Sequence, residues 1–522
     1  MQKLKYWGWG EVGTELSDAE RAALFQRVRQ AFGIDTAVVA PPAVEDIALR
    51  RPRLSPPPHL AGILTDDPWE RLVHTYGKSY PDSVKAFARD FANAPDLVAF
   101  PSRESEVADI LAWASSANVA VVPFGAGSSV VGGVEPRIDG RYAAAVSLDL
   151  RRMNALLDVD RKSRAARFQA GVLGPDLEAG LRPHGLTLRH FPQSFEFSTL
   201  GGWIVTRSGG HFATLYTHID DLVESIRTVT PAGVIESRRL PGSGAGPSPD
   251  RFIMGSEGSL GVVTEAWIRV QDRPVHKAGA VVAYPDLFAA ASAIRRIAQA
   301  GLYPSNLRAI DGAEARANGV ADDGRAYAIL AFESADHPVE AWMARALEIA
   351  RAEQGEVLPA LDIAERWRTA FIRMPYNREL LTPLNVINDT FETAITWDRF
   401  EAFHGAVIKA VSEAIREATG RDGIVSARFT HIYPDGPAPY YSFLGLGRPG
   451  ALLAQWEHIK GRASDAVIEG GGTITHHHAI GRDHMPWYLR QRPELFGAAL
   501  AAAKGVLDPR DIMNPGVLVP RP

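Results

Sequence analysis

At 522 residues, with 46% hydrophobic and 22% charged side chains, the chain has the composition of a globular protein and is too long for a single core. A net charge of -5 argues against a basic face for nucleic acid, and the lack of any cysteine excludes disulfides, thiolate-held metals and thiolate-linked cofactors.

Residues 1–95 read as a helical N-terminal region. Met1 to Glu15 lacks the apolar centre of a secretory signal. Leu24, Phe25, Val28 and Phe32 recur at helical spacing behind Ser17 and Asp18, both cap candidates. Pro41-Pro42 and Pro56-Pro57-Pro58 predict an extended connector, and Trp69 to Ala92 a further helical stretch.

Residues 96–274 alternate strand and helix patterns. Strands are expected at 97–100, 119–123, 144–148, 165–170, 222–230 and 261–270. Pro101, Ser102, Glu104 and Glu106 open a helix that runs to Ser116, and Gly174-Pro175-Asp176 predicts another helix start, with glycine as its cap.

Residues 275–479 give a strand at 278–283, a helix at 286–300, strands at 306–310 and 325–332, and a helix at 338–352. That order predicts an α+β layer of the split βαβ kind. A helix from Trp397 to Ala418, strands at 425–433 and 441–446, and a helix at 450–468 follow. Residues 480–522 read as a segment returning to the 96–274 unit.

The run Gly470-Gly471-Gly472-Thr473-Ile474-Thr475-His476-His477-His478-Ala479-Ile480-Gly481 combines imidazoles, which exchange protons near neutrality, with glycines that let backbone approach a ligand. Adjacent residues of an extended segment face opposite ways, so these three histidines are not expected to converge on one ion, and no metal site is predicted.

Three Gly/Ser loops carry the second signal. Pro123-Phe124-Gly125-Ala126-Gly127-Ser128-Ser129 follows a strand and suits an anion nest, although Val130 and Pro136 argue against a Rossmann turn. Pro192-Gln193-Ser194 with Ser198-Thr199-Leu200-Gly201-Gly202, and Glu257-Gly258-Ser259-Leu260-Gly261-Val262, supply two more sets of backbone and hydroxyl donors. Three such loops separated by strands imply a long cofactor wrapped by backbone.

These segments resemble the FAD-binding domain of the vanillyl-alcohol oxidase/p-cresol methylhydroxylase superfamily. The resemblance implies an α+β protein: a two-subdomain FAD-binding fold, an α+β cap and a helical N-terminal portion. Some members attach the flavin through a histidine in the first loop; Ala126 and Ser128 stand there and no histidine does, so the FAD is expected to be noncovalent. The D-2-hydroxyacid dehydrogenase branch has a metal-binding histidine pair in its cap, but here Tyr440 replaces the second histidine after His431.

Trp7-Gly8-Trp9-Gly10, Glu196 to Trp203, Phe391-Glu392-Thr393 with Trp397-Asp398, and the triple histidine with Gly481 are similar to the alkyldihydroxyacetone-phosphate synthase family. That resemblance implies an FAD-dependent transferase, without net redox change, that exchanges the acyl chain of acyl-dihydroxyacetone phosphate for a fatty alcohol in ether-lipid synthesis. It implies Tyr440 for proton removal beside the ketone, with a cap-packing tyrosine as the alternative. His477 matches the base for the incoming alcohol, and His476 and His478 orient it or bind phosphate. Arg378 matches the carboxylate ligand unless it merely pairs with Glu379, and Arg308 matches an arginine near the flavin unless it pairs with Asp311. Gln193 stands where the family has aspartate.

The competing functional readings are an FAD-linked oxidase or dehydrogenase of an alcohol or 2-hydroxy acid, and a catalytically silent FAD scaffold. A homodimer is implied by resemblance, and the chain reads as cytoplasmic, with peripheral membrane contact left open.

Overall fold

The computed structural model describes residues 3–34, 39–212, 218–359 and 362–520. The first helix, Asp18–Phe32, begins at a capping box in which Ser17 and Glu20 exchange side-chain and backbone hydrogen bonds. The expected stretch from Trp69 to Ala92 is two helices, Pro68–Val73 and Tyr80–Phe87. The chain between them turns at Gly77, where an added Cβ would lie 2.3 Å from the Ser129 carbonyl oxygen.

Two sheets follow. Strands Leu64–Thr65, Leu97–Ala99, Ala144–Asp149 and Val119–Phe124 lie side by side in that order, the last three parallel and, Pro123 apart, buried. An antiparallel sheet orders Leu156–Asp160, Ala165–Gln169, Val262–Arg269, Val223–Thr230 and Gly233–Glu236. Near the end of the chain Met513 bridges to Val121 beside the first of these sheets. The helix at Gly174–Leu181 starts one residue earlier than expected: Leu173 takes the cap position, Gly174 is its first residue and Pro175 its second.

The third sheet is antiparallel and seven-stranded. Its order is Glu356–Val357, His276–Tyr284, Ala326–Ser334, Asn306–Ile310, Ile424–Ile432, Pro437–Leu446 and Val386–Glu392. One face packs beneath helices Leu287–Gln299, Glu340–Ala352, Trp397–Thr419 and Leu452–Glu469 through Leu307, Ala309, Ala427, Phe429, Tyr441 and Phe443. Because strand side chains alternate, Arg308, Arg428, Thr430, Tyr440 and Ser442 face the other way, into a cavity. The strand expected at 441–446 begins four residues earlier, at Pro437. The register shift between Phe429 and His431 lies opposite Pro439 and Ala438, so a bulge absorbs prolines in an interior strand.

No helix among the described residues is long and apolar enough to cross a membrane.

Candidate active site

All three Gly/Ser loops and the cavity face of the seven-stranded sheet line one cavity. The first loop leaves strand Val119–Phe124 and turns at Gly127, whose φ is +70°. Among the described residues, the N–H groups of Ala126, Gly127 and Ser128 find no backbone acceptor, which is the arrangement of an anion nest. A Cβ at Gly125 would lie 2.4 Å from Thr199 Oγ1, so the first two loops approach more closely than a larger residue permits, and one at Gly201 would lie 2.9 Å from Ala170 Cβ, just past the strand Ala165–Gln169. Gly258, at φ +73°, presses on Pro123 in the same way. This backbone-lined cradle with unsatisfied donors fits a dinucleotide cofactor such as FAD.

The hydroxyls are less available than the sequence suggests. Ser198 Oγ donates to the Ser194 carbonyl and accepts from Trp203 Nε1, each at 2.7 Å, while Thr199 caps the helix Leu200–Thr206. Gln193 donates to the Phe371 carbonyl at 2.7 Å, tying the second loop to the helix Asp362–Arg373.

The histidine run is a tight turn. Glu392, at the end of strand Val386–Glu392 and 1% exposed, accepts the backbone N–H groups of His476, His477 and His478, the last at 2.8 Å, and the Thr475 hydroxyl. Glu257 accepts those of Ile480 and Gly481, both at 2.8 Å. Burial raises the Glu257 pKa to about 7 against the pull of these two donors. Burial also acts to raise that of Glu392, but the three imidazoles and the Thr475 hydroxyl prevail and hold it well below the usual carboxylate range.

His477 and His478 line the cavity; His476 does not. Its Nε2 meets the Tyr433 hydroxyl at 2.6 Å and its Nδ1 meets His477 Nδ1 at 3.0 Å. His431 approaches both rings, so that one nitrogen from each of His431, His476 and His477 lies within 4.8 Å of the others. The expectation that neighbouring imidazoles diverge fails for His476 and His477 because Glu392 curls the segment. Burial lowers the His477 pKa to about 3 and that of His478 to about 4, against the attraction of Glu392. Both rings are therefore neutral bases at pH 7.

Tyr440 stands beside them. Its ring centroid is 6.0 Å from that of His477, its hydroxyl donates to Thr390 Oγ1 at 2.9 Å, and Arg428 lies 3.7 Å over its face. Burial raises its pKa, with Arg428 and Thr390 opposing. Tyr440 is a cap-strand residue, yet it faces the cavity and not the helix layer.

Neither alternative pairing of the arginines forms. Arg378 donates to the Lys78 and Asn388 carbonyls and to Asp389 Oδ1 at 3.1 Å, whereas Glu379 pairs with Lys5 at 2.9 Å. Asp311 caps the helix Gly312–Ala317 and accepts the Ala427 N–H, leaving Arg308 bound to Asn306 Oδ1 and the His211 carbonyl. Sequence reasoning missed Glu392 as an organiser and Arg428 as a cavity residue; the strand Val386–Glu392 was hidden by Asn388 and Asp389, which disfavour β structure.

Family models for an "FAD binding domain" and for "FAD linked oxidases, C-terminal domain" match residues 95–237 and 273–518. The alkyldihydroxyacetonephosphate synthase of Dictyostelium discoideum is 31% identical over 483 residues, covering 88% of this chain and 78% of its own. That of Trypanosoma brucei brucei is likewise 31% identical, covering 87% and 78%. A solved alkyldihydroxyacetonephosphate synthase structure superposes with a TM-score of 0.82 at 26% identity, covering 98% of this chain and 99% of that one. p-Cresol methylhydroxylase, at 13% identity and a TM-score of 0.69, shares the fold.

Proposed function

The chain belongs to the alkyldihydroxyacetonephosphate synthase family, and from that premise we propose that it exchanges the acyl chain of acyl-dihydroxyacetone phosphate for a fatty alcohol. It is an FAD-dependent enzyme of the ether-lipid synthase type. The observation that carries the reading is the meeting of Tyr440 and His477, 6.0 Å apart between ring centroids, in the cavity that the glycine loops also line. When bound, FAD supplies a ring nitrogen able to hold the substrate carbon while one oxygen substituent replaces another.

The protein groups then have separable tasks. The Pro123–Ser129, Pro192–Gly202 and Glu257–Val262 loops hold the cofactor noncovalently, by backbone donors at close approach. Tyr440 moves a proton at its hydroxyl oxygen, on and off the carbon beside the ketone. Its raised pKa keeps the phenol protonated at rest, so that proton must first leave to solvent or a neighbouring base before the oxygen takes one from carbon, and Arg428 over the ring stabilises the phenolate that forms. His477, neutral and held by Glu392 through the backbone, takes the proton of the incoming alcohol at a ring nitrogen. His478 flanks it on the cavity wall, and His476 orients it from behind. Arg378 receives the departing carboxylate, which displaces part of its bonding to backbone carbonyls. Arg308 supplies positive charge at the centre. The division at residues 95, 274 and 479 into N-terminal, FAD-binding, cap and returning segments is part of the same proposal.

Fatty acid release from acyl-dihydroxyacetone phosphate, dependent on added fatty alcohol and without oxygen uptake, is the test. Tyr440→Phe and His477→Ala should abolish it and retain bound FAD. Flavin bleaching by hydroxy acids under anaerobic conditions, with no alkyl exchange, would establish the oxidase reading instead.

A further inference from the structure

Arg308 and Arg428 are diagonal neighbours on the cavity face of the seven-stranded sheet. Ile310 pairs with Arg428 across the two antiparallel strands, so Arg308, two residues back, shares its face. Both side chains are almost wholly buried, at 3% and 1% exposure, and both line the cavity.

Their donors are only partly used. Arg308 Nη1 has no partner, and among the described residues no carboxylate pairs with this guanidinium. Arg428 gives Nη1 to Glu314, lies face-on against Tyr440, and leaves both Nε and Nη2 without a partner. Of these two buried guanidinium groups, Arg428 has a carboxylate partner and Arg308, among the described residues, has none. An uncompensated buried charge is costly, and proteins retain one where a bound anion completes it. Burial and the neighbouring Arg428 pull the Arg308 pKa down to about 9, the direction expected for a cation lacking its counter-ion.

We infer that Arg308 and Arg428 form the site for the phosphate group of the substrate, a dianion held by donors from two guanidinium groups. This rests on the acyl-dihydroxyacetone phosphate reading above and assigns its phosphate to the cap sheet, not to the histidines. A carboxylate, with two oxygens, is satisfied by a single guanidinium fork. A tetrahedral phosphate presents three oxygens and suits unpartnered donors spread over two residues. The glycine loops meet the cofactor's anion through backbone N–H groups. A substrate phosphate at the sheet instead meets full charges, beside the phenol at Tyr440.

Calorimetric titration of the FAD-loaded enzyme with inorganic phosphate and with dihydroxyacetone phosphate tests the site without turnover. Arg428→Gln should weaken both ligands by ~10–100-fold, leave FAD content unchanged, and raise KM for the phosphorylated substrate more than it lowers kcat. The double variant Arg428→Gln/Glu314→Gln removes the carboxylate that Arg428 would leave unpaired, and should fold and show the same loss. Activity on acyl-dihydroxyacetone lacking phosphate should fall less than activity on the phosphorylated substrate in both variants. Unchanged phosphate affinity in both variants would overturn the assignment, as would loss of FAD, which would make these residues flavin counter-ions. If phosphate binds and responds to Arg428→Gln but no alkyl exchange occurs, the anion site stands and the transferase reading falls. If exchange proceeds with phosphate affinity unmoved, the reverse holds.

Discussion

The Glu392 carboxylate lies 3.4 Å from His477 Nδ1 and also accepts that residue's backbone N–H at 3.1 Å. One buried acid thus sets both where the imidazole sits and which way it turns. Shortening or neutralising it leaves the neighbouring N–H groups with a poorer acceptor and the ring with freedom to rotate.

Glu392→Gln is therefore expected to lower kcat by ~10–100-fold while KM and FAD content stay near wild type. Glu392→Asp should fall between the two. Steady-state kinetics alongside flavin absorbance distinguishes this positioning role from a loss of folded protein, which would lower FAD content in parallel.

Gly125→Ala is expected to yield protein poor in FAD. The new methyl meets Thr199 Oγ1, which cannot retreat without giving up the N–H of Gly202 that it accepts at 3.2 Å. Flavin content per chain is the measurement, and the apo-protein should lose about 1 kcal/mol through the disturbed helix cap.

Acid sensitivity should be traceable to Asp96. Its buried carboxyl accepts from Arg50, Arg53 and the Ala145 N–H. Burial acts to raise its pKa, but Arg53 and Arg50 outweigh that and lower it from 3.8 to about 2. A folded-state value below the unfolded one stabilises the protein above the unfolded pKa, and the contribution is lost as pH falls through about 2. The expected loss is about 1–2 kcal/mol, discounted because both arginines are partly exposed. Urea unfolding at neutral and acid pH should show a flatter pH dependence for Asp96→Asn.

Zinc is expected to inhibit. Nitrogens of His431, His476 and His477 lie within 4.8 Å of one another, and His431 Nε2 has no partner. An ion held there occupies the lone pair that His477 needs. Inhibition should be reversed by a chelator and weakened in His431→Ala; equal sensitivity in that variant would place the zinc elsewhere.

In the flavin half the glycine loops and the buried apolar strands were legible, whereas the exposed, polar edge strands Leu156–Asp160 and Gly233–Glu236 were not expected. The cap was legible where strands alternate cleanly, as at Asn306–Ile310, which matched residue for residue. It was opaque where polar residues interrupt the apolar pattern: no strand was expected around Asn388, Asp389 and Thr390, yet they lie in the strand that carries Glu392. Pro437 and Pro439 likewise hid the start of the Tyr440 strand, since the bulge that tolerates them lies on the neighbouring strand. The candidate side chains were named from motifs, but their partners were not, because Glu392 and His476 are 84 positions apart and local pattern carries no information about that pairing.

The histidine turn is held from two sides, by Glu392 of the cap sheet and by Glu257 of the third glycine loop, 223 positions from Ile480. Neither half alone can shape it. A chain whose halves have folded but not docked keeps two acids stripped of their donors and an inert, shapeless loop. The docking of the two sheets and the shape of the proton-handling turn are thereby one and the same event.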